Sequence, residues 1–387
     1  MKDVFIYKNN SKLKRIIFIT SYFPPSSFAD ATRIYPLYAR LKESGNFEVR
    51  VYTDILSKGH DGVYTNLFKS PNSSQGLIRR SFQEILLGCE LFIKLFFVKA
   101  DLVIITSPPF ITSAMAIVSC VLKGQKYCFD VRDIYPAVYI KANLIKETGV
   151  AAKILTSLEK FCYRHASFIT TVSPGLKNEI NSKAASSKCI LLPNGFSEKI
   201  FSINNDLFPE FTVVFHGNIG RFQNIELVVE VARLIEQINP LIKFLVIGDG
   251  PKDTYLKTHK LSNLHYLGRL ETQEVANIIS KCHLGLSFRG DDRISIYSTP
   301  VKVYEYIGVS IPILITPFES EGSQLVENLG IGVRFSNEEP QKIAETILLM
   351  AKDKDYYNSF KTNLIKIRPQ FSREKQADIF LNLIQEL

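Results

Sequence analysis

Residues 211–238, FTVVFHGNIGRFQNIELVVEVARLIEQI, read as a buried strand, a turn holding two glycines, and an amphipathic helix. Phe211 to His216 is a short apolar run of the kind found inside parallel sheets. Gly217, Asn218, Ile219, Gly220 and Arg221 follow it, and Leu227, Val228, Val231, Leu234, Ile235 and Ile238 then recur at helical spacing. Two glycines between strand and helix allow close backbone approach, and amides there suit a phosphate. The spacing is neither GxGxxG nor a P-loop, so a tight connection without a ligand is an equal reading. Downstream the pattern continues. Lys243 to Gly248 is a strand that turns through Asp249, Gly250 and Pro251. Strands at Leu264 to Leu267 and Leu284 to Phe288 flank a helix through Val275 and Ile279, Pro312 to Thr316 is a further strand, and helices dominate from Pro340 to Leu387.

An earlier series of the same type precedes it. RIIFIT at 15–20 is a buried strand, SYFPPSSFAD a loop, 31–43 a helix and FEVRVYTD a second strand. Arg33 stands early in that helix, either facing an anion or simply solvated. Residues 57–76 read as an exposed loop. DLVIIT at 101–106 and KYCFDV at 126–131 are strands, and the second runs into Arg132 and Asp133. Asp130, Arg132 and Asp133 thus gather at a strand's carboxyl end, a ligand-facing position in α/β sheets, with an internal Arg/Asp pair as the alternative. A helix at 152–165, strands at 168–172 and 189–192, and an aperiodic stretch at 196–209 complete the first half. Two successive parallel α/β domains with a cleft between them account for this order, divided at 195/196, with the helix 371–387 expected to pack back on the first.

RGDDRISIYSTPVKVYEYIG at 289–308 reads as a basic loop feeding a short helix. Ser298 or Thr299 is expected to cap it, Pro300 to suit its first turn and Gly308 to stop it, leaving about two turns. Lys302 and Glu305, three apart, share a face behind Arg289 and Arg293. Cations and helix amides suit a diphosphate, and a carboxylate suits ribose hydroxyls. The plain alternative is a surface pair contributing roughly 0.2–0.5 kcal/mol.

At 387 residues the chain exceeds one ordinary core. A net charge of +9 favours an anionic partner, but the basic residues form no aromatic-interleaved stripe, so nucleic acid is not expected. Six scattered cysteines without a CxxC pair predict a reduced, cytoplasmic chain without a zinc site. MKDVFIYKNNSKLKR lacks the apolar region of a secretory signal, and no uninterrupted apolar run of spanning length is present. ILLGCELFIKLFFV at 85–98, interrupted by Glu90 and Lys94, either lies in a membrane interface or is buried under the sheet.

Several segments in this order resemble the retaining glycosyltransferases of family 4: YFPPSSFADATR, TSPPF, FDVRDIYP, TVSPGLKNEI, LLPNG, HGNIGRFQNIE, VIGDGP and TPVKVYEYIG. The bacterial enzymes of O-antigen and capsule assembly with a DxRDxxP segment, some of which transfer N-acetyl-fucosamine-type sugars, are the most similar subset. The resemblance implies the GT-B fold, two Rossmann-like domains facing each other across a cleft. It implies a UDP-linked sugar donor held by the second domain through Gly217, Asn218, Gly220, Arg221, Gly248, Gly250, Arg289, Lys302 and Glu305. Glu305 matches the second glutamate of the E-x7-E pattern, which binds ribose, and Lys302 a phosphate-contacting lysine. The first domain is implied to bind a polyprenyl-diphosphate-linked glycan at the inner membrane surface, with Phe28, Arg33, Asp130, Arg132 and Asp133 on the acceptor side. Asp133, Arg289 and Lys302 carry the implied catalytic roles, without metal or cofactor.

The chain departs from the family pattern at three places. Tyr297 stands where the first glutamate would be, Ser26, Ser27 and Phe28 replace a glycine-rich loop, and Asn218 and Gln223 occupy the places of a basic pair, leaving Arg221 as substitute. A nucleotide-sugar epimerase of the same architecture and a non-catalytic subunit are the competing classes.

Overall fold

The computed structural model describes residues 13–24, 29–54, 62–70, 77–141, 145–184, 188–220, 222–290 and 299–387. Phe28, Arg221, Arg293, Tyr297 and Ser298 lie outside the described residues. The chain divides into two compact units, Met1–Thr171 with Ile180–Ile190 and Leu381–Leu387, and Val172–Glu179 with Leu191–Phe380.

The first unit is built on strands β1 (Lys14–Ile19), β2 (Phe47–Thr53), β3 (Val63–Thr65), β4 (Leu102–Thr106), β5 (Tyr127–Val131), β6 (Phe168–Thr171) and β7 (Cys189–Leu191). They form one seven-stranded sheet in the order β3-β2-β1-β4-β5-β6-β7. Ile17 lies beside Val103 and Val103 beside Tyr127, in parallel register, so continuous apolar runs are covered on both faces. The helix Phe110–Lys123 packs on the helix Leu77–Phe97, whose Leu87, Leu91 and Leu95 enter the same core as Ile117 and Cys120.

The second unit holds β8 (Thr212–His216), β9 (Lys243–Ile247), β10 (Leu264–Gly268), β11 (Leu284–Ser287), β12 (Ile313–Ile315) and β13 (Gly332–Arg334). Their order is β10-β9-β8-β11-β12-β13. From β8 the chain winds outward through β9 and β10, then returns to the other side of β8 for β11, β12 and β13. The direction therefore reverses between β8 and β11, and a crevice opens beyond the carboxyl ends of strands at such a point. Between β8 and β9 lies the helix Ile225–Ile238, capped by the Asn224 side chain; Leu227, Val228, Val231 and Ile235 of the expected stripe are buried, whereas Leu234 is half-buried and Ile238, at the helix end, is exposed.

Several local expectations are corrected. The stretch read as an exposed loop at 57–76 contains β3, paired in parallel with β2. Its weak signal reflects length, since three residues give no periodicity to read. The helix after Pro300 spans Val301–Val309 with no side-chain cap, and Ser310, at φ 57°, ends it. Gly308 is therefore inside the helix rather than its stop. It is small because a Cβ there would sit 2.6 Å from the Phe196 ring.

Candidate active site

The switch point of the second unit opens into a cavity of about 430 Å³, lined among others by His216, Gly217, Asn218, Gln223, Arg289, Pro300, Lys302 and Glu305. Its floor is set by strand ends. His216 is the last residue of β8, and Arg289 follows β11 with its backbone pinned: its amide donates to Thr316 Oγ1 at 3.1 Å and its carbonyl accepts from Asn337 Nδ2 at 2.9 Å. The first residues of the helix Val301–Val309 form another wall, so the positive end of that helix faces the space.

Lys302 is 7% exposed. Its Nζ lies 3.7 Å from the centroid of the Phe215 ring and donates to Gln223 Oε1 at 3.2 Å. Burial, then the Arg289 charge, pull its ammonium down to about 7, and Glu305 opposes them. Burial pushes the Glu305 carboxyl up to about 7, against the charges of Arg373 and Lys302. Both groups therefore titrate near neutrality, and a diphosphate would favour the charged lysine and ribose hydroxyls the charged carboxylate. His216 is 5% exposed, its ring edge-on to Tyr306, and its Nε2 lies 3.4 Å from Glu305 Oε2. Burial and Lys302 depress it to about 3, so it is a neutral imidazole at physiological pH.

The glycine turn after β8 is forced by close backbone approach. Gly217 has φ 114° and Gly248 φ 135°, and a Cβ on Gly248 would lie 1.9 Å from the Gly217 carbonyl oxygen. Gly217 N–H donates to Ile247 O at 2.9 Å, and Ile219 N–H to Asp249 O at 2.8 Å, which locks the loops after β8 and β9 together.

Of the expected donor-side residues, the cavity brings together Gly217, Asn218, Arg289, Lys302 and Glu305, while Gly220, Gly248 and Gly250 are not part of its lining. Three residues escaped the sequence reading: His216 and Gln223 as contacts of the charged pair, and Phe215 as the platform under Lys302. A histidine closing an otherwise apolar strand at Gly217 was the available signal.

In the first unit the charged cluster takes the internal-pair arrangement. Arg33 and Asp130 form a buried two-bond pair, Nη2 to Oδ1 at 2.7 Å and Nε to Oδ2 at 3.0 Å. Thr106 and Thr170 hydroxyls also donate to Asp130. Burial opposes the charge of Asp130, but the Arg33 guanidinium and these donors hold its carboxyl below the usual range. Arg132 pairs with Asp30. Asp133 is only partly buried, and desolvation raises its carboxyl despite Arg132. Arg33 and Asp130 thus hold the sheet's carboxyl edge together, and Asp133, like Arg132, keeps partial access to solvent.

Residues 197–366 match a family model described as glycosyl transferases group 1. A probable glycosyltransferase of Pseudomonas aeruginosa, WbjE, is 23% identical over 240 residues, 58% of this chain and 59% of that protein. The matched stretch thus spans little more than half of that relative's length. Among solved structures, HepE of Anabaena in complex with UDP aligns over 97% of this chain and all of its own, with a TM-score of 0.69 at 12% identity. WaaG, a glycosyltransferase involved in lipopolysaccharide biosynthesis, aligns over 94% of this chain and 99% of its own, with a TM-score of 0.66 at 13% identity. The chain has the GT-B fold.

Proposed function

From a chain whose residues 197–366 match the glycosyl transferases group 1 family, we propose a glycosyltransferase that moves a sugar from a UDP-linked donor to a lipid-linked glycan in cell-surface polysaccharide assembly. The observation that carries this reading is the pairing of Lys302 with Glu305 in one cavity at the switch point of the second sheet. Glu305 is the acceptor for ribose hydroxyls. Lys302, Arg289 and the amides of the Val301–Val309 helix face the diphosphate. WbjE, described as a probable glycosyltransferase, supports sugar transfer, WaaG supports a place in lipopolysaccharide or related synthesis, and the HepE complex supports UDP as the nucleotide.

The reaction breaks the bond between the anomeric carbon and the diphosphate oxygen while the acceptor hydroxyl attacks. Negative charge grows on the leaving phosphate, and fixed cations aimed there lower the barrier without a metal ion. In the retaining course that we propose, the acceptor enters on the face from which UDP leaves, and its proton passes to the departing phosphate oxygen. Asp133 is assigned to the acceptor side.

Calorimetric titration with UDP in EDTA tests the reading. The wild type binds and Glu305→Ala does not; silence of the wild type towards UDP and other nucleoside diphosphates overturns it and favours a non-catalytic subunit. Isomerisation of a UDP-sugar with no acceptor present favours an epimerase instead.

A further inference from the structure

The helix Leu77–Phe97 is half of each reading that its sequence allowed. Leu87, Leu91 and Leu95 are buried in the core, but the opposite face is open to solvent. Phe82, Ile85, Cys89, Ile93 and Phe96 follow one another at spacings of three and four, so they form one stripe along the helix. Phe97 beside them is 79% exposed, Phe82 60% and Ile93 57%. Phe92 stacks on Phe96, and Phe97 meets Phe96 edge-on, which makes the carboxyl end an aromatic cluster. The neighbouring loop enlarges the patch. Leu67 and Phe68 donate their amides to Glu90 at 2.8 and 2.9 Å, and Leu67 is 85% exposed. An apolar stripe of this length, about 22 Å from Phe82 to Phe97 at 1.5 Å per residue, is not ordinary surface scatter.

The charges around it select the occupant. The helix has two carboxylates, Glu84 and Glu90, and both are buried, one paired with Arg80 and the other with Lys94. The exposed stripe therefore presents no negative charge. Arg79 lies exposed at its start and Lys99 just past its end. Beyond the aromatic end, Lys14, Arg15, Lys99 and Lys123 line a cavity of about 530 Å³ in which Asp101 is the carboxylate. Among the described residues no helix is long and apolar enough to cross a membrane. An amphipathic helix with aromatic residues outward and cations at its rim suits the headgroup region of an anionic bilayer. A second copy would set the same cations against one another across a two-fold interface.

We propose that the Phe82–Phe97 stripe and the lysine-lined cavity at its end dock the first unit on an anionic lipid surface. No residue of the donor cavity takes part, so this surface stands or falls separately from the proposed reaction.

The test is flotation of the purified full chain with vesicles of phosphatidylcholine, alone or mixed with phosphatidylglycerol, without donor or acceptor. The wild type is expected to float with the mixed vesicles and to release as salt is raised. Ile93→Asp/Phe97→Asp, which changes only exposed side chains, is expected to float roughly tenfold less. Circular dichroism and the melting temperature show that the variant is folded, whether or not UDP binds. Equal flotation of the folded variant and the wild type overturns the proposal, as does failure of the wild type to float. Sedimentation that shows a wild-type dimer lost in the variant, with no vesicle binding, overturns it in favour of a second copy.

Discussion

His216 Nε2 lies 3.4 Å from Glu305 Oε2, so the carboxylate assigned to ribose rests against a buried, neutral imidazole. The strand end that carries His216 and the helix that carries Glu305 are joined there. The buried ring packs against the carboxylate and narrows its rotamers before a ligand arrives. Burial makes Glu305 costly to ionise, and the neutral ring beside it supplies no charge to offset that cost.

That cost gives a pH signature. Glu305 rises from 4.5 to about 7 on folding, so between those values the folded chain holds a proton that the unfolded chain has released. This stabilisation is complete below pH 4.5 and is lost as pH rises through 7. Lys302 falls from 10.5 to about 7, so its contribution has the other slope: stability grows between pH 7 and 10.5, where only the unfolded chain keeps the proton. Thermal unfolding without nucleotide should therefore show Glu305→Gln gaining on the wild type from pH 5 to 7, by about 1–3 kcal/mol. An offset that is constant across this range would show that Glu305 does not titrate there.

Removing His216 should loosen the carboxylate without removing it. His216→Ala is expected to weaken UDP binding by roughly tenfold, the scale of one side chain no longer held in its rotamer. Its melting temperature reports any general loss of packing against Tyr306. Calorimetry that gives wild-type affinity for a well-folded His216→Ala would remove the histidine from the site.

Gly248→Ala tests the backbone floor. The new Cβ would fall 1.9 Å from the Gly217 carbonyl oxygen, at a φ of 135° that an alanine rarely adopts. The loops after β8 and β9 must then separate, at a cost on the order of 2–4 kcal/mol. Because Gly217 lines the cavity, UDP affinity should fall along with the denaturation midpoint. A variant as stable as the wild type would refute the close approach.

The alternation of strands and helices was legible because long amphipathic segments such as Ile225–Ile238 carry their own period. Lys302, Glu305 and Arg289 were legible because a helix start fixes which side chains neighbour one another. β3 and β13, VYT and GVR, are as short as β7 and β12 but lack the apolar runs CIL and ILI that mark those strands. The helix Glu321–Asn328 was also missed, although Ser320 caps it, because no apolar run marks it. His216 and Gln223 were invisible as partners of Glu305 and Lys302 because those contacts join positions 89 and 79 residues apart. No local pattern encodes a contact of that kind. The Asp130 cluster shows the remaining limit: charge at a strand end did not reveal that Arg33 would satisfy it from a preceding helix.

That buried pair yields a structural prediction. Asp130→Asn removes the carboxylate charge that Arg33 grips through two hydrogen bonds in a buried position, which should destabilise the chain by about 3–5 kcal/mol. The Asp130 carboxyl is held below its usual range, so its contribution is present above the unfolded value of 3.8 and is lost as pH falls through the folded value. The gap between wild type and variant should therefore narrow on acidification. A midpoint for Asp130→Asn matching the wild type at pH 7 would contradict a structural role.

Lys302 is the residue on which the proposed chemistry depends, and its surroundings allow its parts to be separated. The ammonium sits over Phe215 and donates to Gln223, while Arg289 lowers its proton affinity. A bound diphosphate restores the charge. Growing negative charge on the leaving phosphate should draw more stabilisation from Lys302 in the transition state than in the bound donor. Lys302→Ala is accordingly expected to lower kcat roughly a hundredfold, with a smaller change in KM. Gln223→Leu removes only the acceptor that aims the ammonium, and should cost no more than about tenfold, because the Phe215 platform remains. A lysine used only to bind donor would show the reverse pattern in steady-state kinetics, KM rising in both variants with kcat unchanged.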